Sequence, residues 1–259
     1  MNMIYLLFKK AFFDTWDNLI SIVLLNIIYV ALFTVGLLAL QYLSFNMILL
    51  LAVVLLVIFV ASLYSGAISN VVYNYSLYKA DTIDNLKIGY RRNFKHSIAL
   101  FGIIVLALTI MFYIIPFYSA IHNLIGYIVS LILIWLLLIG AFGLQYYYAL
   151  SSFLPGDNYK KTIKKCFIIL FDNLGFSICL MLHNFFCLIL TFITMGIIPG
   201  FTGINLTTHA AVKILMYKYD YIEEHPNCSR KEVPMAELLM EEHDKIGPRT
   251  LKNFIFPWK

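Results

Sequence analysis

Apolar runs of about twenty residues or more recur along this chain, and nothing else in it constrains the fold as strongly. A run of that length matches the hydrocarbon core of a bilayer, about 30 Å thick. Backbone hydrogen bonds inside lipid are satisfied only within helices or closed barrels. The runs lie at about 19–43, 47–72, 97–118, 124–147 and 174–198, with a weaker sixth at about 201–217. Hydrophobic residues make up 61% of the 259 and charged residues 13%, about half the charged share of a soluble domain. The expected fold is all-α: a polytopic transmembrane bundle of about six spans. Residues 1–217 would form the bundle and 218–259 a charged tail. A five-span layout, with the sixth segment re-entrant or outside the membrane, is the competing arrangement.

Charge sets the expected orientation. Among residues 1–217 every cation except Lys213 lies before the first span, between the second and third, or between the fourth and fifth. The connections near Ser44, His122 and Gly200 carry no formal charge. This one-sided segregation follows the positive-inside rule and places both termini in the cytoplasm. The net charge of +5 therefore reads as topology, and no nucleic-acid partner is expected. Polar loops are expected over Lys79–Lys95 and around Pro155–Lys165. Tyr73, Tyr75, Tyr78, Tyr146, Tyr147, Tyr148, Tyr217, Tyr219 and Tyr221 read as an aromatic belt at the inner interface. The N-terminus lacks the short apolar region and small-residue site of a cleavable signal.

An internal recurrence organises the spans. Lys9-Lys10-Ala11-Phe12 and Trp16-Asp17-Asn18-Leu19 return at the same offset as Lys164-Lys165-Cys166-Phe167 and Phe171-Asp172-Asn173-Leu174. A looser copy ends in Arg92-Asn93-Phe94. Three repeated helical hairpins are expected, each opened by an amphipathic segment on the inner surface. Asp17 and Asp172 would cap the helices that follow them. The lysine pairs would lie among anionic headgroups, with Trp16 and Phe171 as interfacial anchors.

No acid or arginine lies deep in a span, which argues against a carboxylate-driven pump or a charge-gated channel. The candidate intramembrane polar contacts are Asn26, His183, Asn184, Asn205 and His209, with Ser62, Ser65 and Ser69 on the second span. Interhelical hydrogen bonding is their ordinary role. A substrate contact, or a metal held by His183 and His209 with a third ligand, are the alternatives. Cys166, Cys179, Cys187 and Cys228 lack metal-site spacing. No catalytic residue, cofactor or metal is expected. Small-residue pairs at Gly140/Gly143 and Gly196/Gly200, and the stripe Ser62-Gly66-Ser69, suggest close helix packing. The broken stretch 194–203 reads as an outer hairpin turn. In the tail, Ser229 to Glu232 fits a capping box, Ala236–Lys245 a short helix, and Glu241, Glu242, His243 and Asp244 a solvated face. Phe254, Phe256 and Trp258 are expected to dock on the bundle or inner interface.

The entry Phe12-Phe13-Asp14-Thr15-Trp16-Asp17-Asn18-Leu19, Asn26 early in the first span, Asn93-Phe94-Lys95, and the closing Phe256-Pro257-Trp258-Lys259 resemble the YesL-like family of bacterial membrane proteins, a domain of unknown function. That family is often encoded beside carbohydrate uptake systems and their regulators. The resemblance implies a multi-pass protein of the bacterial cytoplasmic membrane, with the lipid bilayer and a transporter complex or other membrane protein as partners. It implies a non-enzymatic accessory role in nutrient uptake or its signalling, and no catalytic residues. A small transporter or channel for a neutral solute, with its path between the hairpins, is the alternative.

Overall fold

The computed structural model describes residues 3–79, 81–226, 232–247 and 249. Among them the regular structure is helical throughout, with no strand. Helix α1 (Met3–Asp17) leads into α2 (Leu19–Tyr42) through Asn18 alone, and α3 (Met47–Ser76) returns. Asn46 starts α3 by accepting the Leu49 amide at 3.1 Å, a side-chain cap on an orphan donor. Next come α4 (Ile83–Thr109), a π-turn over Ile110–Ile114, and α5 (Ile115–Ala120). The chain turns back as α6 (Leu124–Leu144) and a separate short α7 (Tyr147–Phe153). Then follow α8 (Tyr159–Asp172), α9 (Leu174–Ile193), α10 (Gly200–Glu224), α11 (Met235–Leu238) and α12 (Met240–Ile246). Five of these stretches are long and apolar enough to cross a membrane: Leu19–Tyr42, Met47–Ser76, Ile83–Ala120, Leu124–Phe153 and Leu174–Ile193. The exposed surface of the spans is apolar, with residues such as Ile20, Leu24, Ile132 and Trp135 more than half exposed, as lipid contact requires and water does not permit.

Several sequence expectations change. The stretch 83–95 is helix and not loop, and it runs unbroken into the third span. Of its inward residues, Gly89, Asn93 and Ser97 pack on α3, while His96 meets the Tyr147 ring and the Asp157 carbonyl. A Cβ on Gly89 would lie 2.3 Å from the Ala67 carbonyl, and one on Gly66 would lie 2.1 Å from Ser97 Oγ. Asn93 donates to the Gly66 carbonyl at 2.9 Å. The small-residue stripe therefore lets two backbones approach closely. The continuity also means that the loose third copy of the recurrence lacks the helix break seen at Asn18 and Asn173. Pro116 lies inside the third long helical stretch, which continues to Ala120. A proline lacks its N–H and crowds the carbonyl four residues back, and the wider π-turn just before it absorbs that defect.

The basic run Lys160–Lys165 lies on α8 rather than in a loop. The 217/218 boundary falls inside α10, and the tail helix divides at Leu239. Gly196 and Gly200 are turn residues with φ of +88° and +62°, not a helix-packing pair. The aromatic belt is also corrected. Tyr75, Tyr146 and Tyr147 are buried. Tyr146 donates to Ser177 Oγ at 2.9 Å and Tyr147 to the His96 carbonyl at 3.0 Å. Tyr148 donates to the Ser62 carbonyl at 2.6 Å. A buried phenol needs a hydroxyl partner, and these cross-helix carbonyls and hydroxyls supply it. Cys228, Ser229 of the capping box, and the terminal Phe254, Phe256 and Trp258 lie outside the described residues.

Candidate functional site

The most concentrated chemistry lies where both ends of the chain meet the bundle. Helix α1 presents Leu6, Leu7, Lys10, Ala11, Phe13 and Asp14 inward, the i, i+3, i+4, i+7 pattern of a buried face. That face includes two charges. Lys10 and Asp14 are one turn apart and pair at 2.9 Å, both out of contact with solvent. A charge withdrawn from water must be matched, and the match comes from the tail. Glu242 of α12 is 0% exposed. Its Oε1 pairs with Lys10 Nζ at 2.9 Å and accepts hydrogen bonds from Lys213 Nζ at 2.8 Å and the Tyr78 hydroxyl at 2.8 Å. Its Oε2 accepts the Tyr217 hydroxyl at 3.1 Å. Lys213 also donates to the Ser76 carbonyl at the end of α3, at 2.8 Å.

Tyr78 holds the cage together. Its φ of +61° places a bulky residue in the left-handed region, where glycine usually terminates a helix. This conformation turns the phenol toward Glu242 and sets its ring 4.1 Å from Lys10 Nζ and 4.7 Å from Lys213 Nζ. The ring thus adds cation–π attraction for both ammonium groups. Burial alone would raise the Glu242 carboxyl, but Lys10 and Lys213 hold it at about 2. Burial pushes Asp14 up to about 6 against the pull of Lys10, so of the two carboxylates Glu242 is the firmly ionised one. Burial and the adjoining Glu242 raise the Tyr78 phenol.

Two outer contacts extend the clasp along α1. Lys9 donates to the Gly247 carbonyl at 2.9 Å. Arg249 Nη1 donates to both Asp17 oxygens at 2.9 Å. Asp172, the counterpart of Asp17, accepts Lys218 at 3.0 Å and the Tyr219 hydroxyl at 2.8 Å. The capping role expected of these two acids is replaced by tertiary pairing. Asp17 and Asp172 are the last residues of α1 and α8, so each carboxylate projects beside the preceding helix. The headgroup setting expected for Lys10 and the solvated face expected for Glu242 are overturned by the same cluster. Glu241 and Asp244 do remain exposed.

The predicted polar residues fall into three separate places. Asn26 serves the opposite end of the bundle. It donates to the Ile197 and Pro199 carbonyls at 2.9 and 2.8 Å and accepts the Thr202 amide at 3.0 Å. One amide thus supplies partners to the turn that breaks α9 from α10. His209 lies inside the bundle, 3.2 Å from Ser69 Oγ, with Nδ1 donating to the Asn205 carbonyl at 2.8 Å. Ser69 in turn lies 2.6 Å from Ser152 Oγ. The backbone of Asn205 thus enters this network. His183 neighbours Cys187 Sγ at 3.5 Å and the Phe8 ring at 5.2 Å, and Asn184 donates to Thr208 Oγ1 at 3.5 Å. The two histidines face different neighbours, α1 for His183 and α3 with α7 for His209, so the suggested pairing on a metal is not made. No three His, Cys, Asp or Glu side chains gather as a metal group among the described residues.

Sequence reasoning missed Lys10, Tyr78, Lys213 and Glu242 as a unit. One signal was present. Lys213 is the only cation of residues 1–217 outside the charged connections, and a lysine within an apolar bundle requires a counter-charge. Comparison of the chain with protein-family models found no match, and comparisons with curated proteins and with solved structures found none either.

Proposed function

We propose that this chain is a six-span protein of a bacterial cytoplasmic membrane, with both termini inside, acting as a non-enzymatic accessory to a transport or nutrient-uptake system. The observation that carries the reading is the Glu242 cage. It makes the tail a fixed part of one end of the bundle, so that end presents a built protein surface rather than a loose tether. A surface assembled from both chain ends suits attachment to a partner. The charge segregation supports placing that end in the cytoplasm. The sixth span is supported by α10, whose 25 residues rise about 37 Å, and by the pairing of Lys213 with Glu242, which lowers the cost of a lysine there. The matching Asp-Asn breaks before α2 and α9 support a repeat of the first and third hairpins. The resemblance to YesL-like proteins supports the link to uptake.

Purification of the tagged full chain from native membranes tests this. A stoichiometric membrane partner is expected, and its loss from a Glu242→Gln variant that still accumulates. Recovery of the chain alone from native membranes defeats the accessory reading. Labelling of Cys228 in intact cells by a membrane-impermeant thiol reagent would defeat the proposed orientation.

A solute path is the second reading. The buried Ser69–Ser152–His209 chain favours it, together with Arg92, which donates to Asn70 Oδ1 at 3.3 Å and to the Ser152 carbonyl. Solute flux in vesicles containing only this protein would select it.

A further inference from the structure

The exposed side of α8 continues into the flank of α6. Thr162, Cys166, Ile169 and Leu170 face the bundle, which leaves Lys161, Lys164, Ile168 and Phe171 exposed on the other side. Their spacing of three, four and three residues puts them on one stripe. Phe167, between the two faces, fits against Gly143 of α6, where a Cβ would lie 2.6 Å from its ring. A turn away, Gly140 has open space where its Cβ would stand. Phe167 consequently borders two hollows. One, of about 520 Å³, is apolar and runs along Ile132, Trp135, Leu136, Ile139 and Gly140. The other, of about 620 Å³, is lined by Lys164, Ile168, Phe171 and Asp172. From Ile132 to Gly140 the apolar hollow follows about 12 Å of helix, room for much of an acyl chain.

The charge at the joint is positive. Asp172 is engaged by Lys218 and Tyr219, and Asp157 by Lys165. Lys160, Lys161 and Lys164 form no ion pair among the described residues. An apolar slot that opens beside unpaired ammonium groups matches one kind of molecule: a hydrocarbon chain ending in an anionic head. We propose that the α6–α8 groove seats one anionic phospholipid, with an acyl chain along Trp135, Ile139 and Gly140 and its phosphate at Lys161 and Lys164. Phe167 divides the two parts of the ligand. The inference rests on embedding in a membrane and not on the accessory role, so a chain found without a partner can still hold the lipid.

The test is native mass spectrometry of the full chain in detergent, titrated with phosphatidylglycerol or with phosphatidylcholine of the same acyl length. Selective retention of phosphatidylglycerol is expected. Lys161→Gln and Lys164→Gln each lower that retention about fivefold. Gly140→Leu fills the slot and removes retention. Gly102→Leu, on α4 with equally open space at its Cβ, leaves retention unchanged and controls for a general effect of a bulkier exposed side chain. Equal retention of the two lipids, wild-type retention in the glutamine variants, or retention that survives Gly140→Leu would each overturn the proposal.

Discussion

The two ends of the bundle are closed by different chemistry. At one end four charged side chains, Lys10, Asp14, Lys213 and Glu242, are buried together, and the hydroxyls of the more exposed Tyr78 and Tyr217 bond to Glu242. At the other a single neutral amide, Asn26, satisfies two carbonyls and one amide of the turn between α9 and α10. The amide closes a gap between elements already next to each other. The charges draw in helices from both ends of the chain. Charge is costly to bury, but each member then makes the others indispensable. The amide asks less and secures less. The end assembled from charge is therefore the one whose integrity is most exposed to a single substitution.

Removing the shared carboxylate is the severest test of this contrast. Glu242→Ala leaves Lys10 and Lys213 without their common partner and is expected to cost about 3–5 kcal/mol, read as a drop in thermal stability in detergent. Replacing Lys10, Lys213 and Glu242 together by methionine should recover most of it. A small effect of the single change would mean that the cage does not hold the tail.

The outer junction should be the next most sensitive. Gly200 combines a φ of +62° with a Cβ position only 2.1 Å from Asn26 Nδ2. Gly200→Ala therefore meets both backbone strain and overlap, and is expected to cost about 2–4 kcal/mol. Asn26→Leu leaves two carbonyls and an amide without this partner and should fall in the same range. If either variant costs more than Glu242→Ala, the ranking of the two ends is reversed.

Acid should separate the two carboxylates of the cage. Asp14 is raised from 3.8 to about 6, so its ionised form opposes folding and its protonation adds stability as pH falls from about 6 towards 4. Glu242 is lowered from 4.5 to about 2. Its contribution is complete above about 4.5 and is lost as pH falls from there towards 2. The Glu242 contribution, read as the difference in thermal stability between wild type and Glu242→Gln across pH 7 to 3, should hold down to about pH 4.5 and then decline. A difference that does not fall between pH 4.5 and 3 would show that the two lysines do not hold Glu242 ionised.

The smallest effect belongs to the surface copy of the same chemistry. Asp17 and Arg249 pair at 2.9 Å, but both remain more than 40% exposed. Asp17→Asn should lower stability by about 1 kcal/mol or less, and high salt should mask even that. A loss as large as that of Glu242→Ala would place the tail's anchor at its exposed end.

Much of this architecture is legible in the order of residues. The five long apolar helices follow from apolar run length, and the short connections near Ser44 and His122 sit where the runs pause. Asn26 is legible as a polar group that needs a partner, although its partner, the turn at Ile197–Pro199, is not. Glu242 reads as one of five consecutive polar tail residues, because nothing local distinguishes a carboxylate bound for burial from its solvated neighbours. The tyrosine clusters read as a belt for a similar reason: composition reveals amphipathic side chains but not which of them turn inward.

What the sequence by itself determined is the class of solvent each segment requires and the end of the bundle at which charge collects. Run length and charge order are properties of the chain in one dimension, and the bilayer reads them directly. Tertiary structure alone decided which charges pair. Lys10 and Glu242 come from opposite ends of the chain, and they meet where α1, α10 and the end of α3 leave both side chains without solvent exposure. Coulomb attraction there depends on distance and burial, neither of which is written in the order of residues.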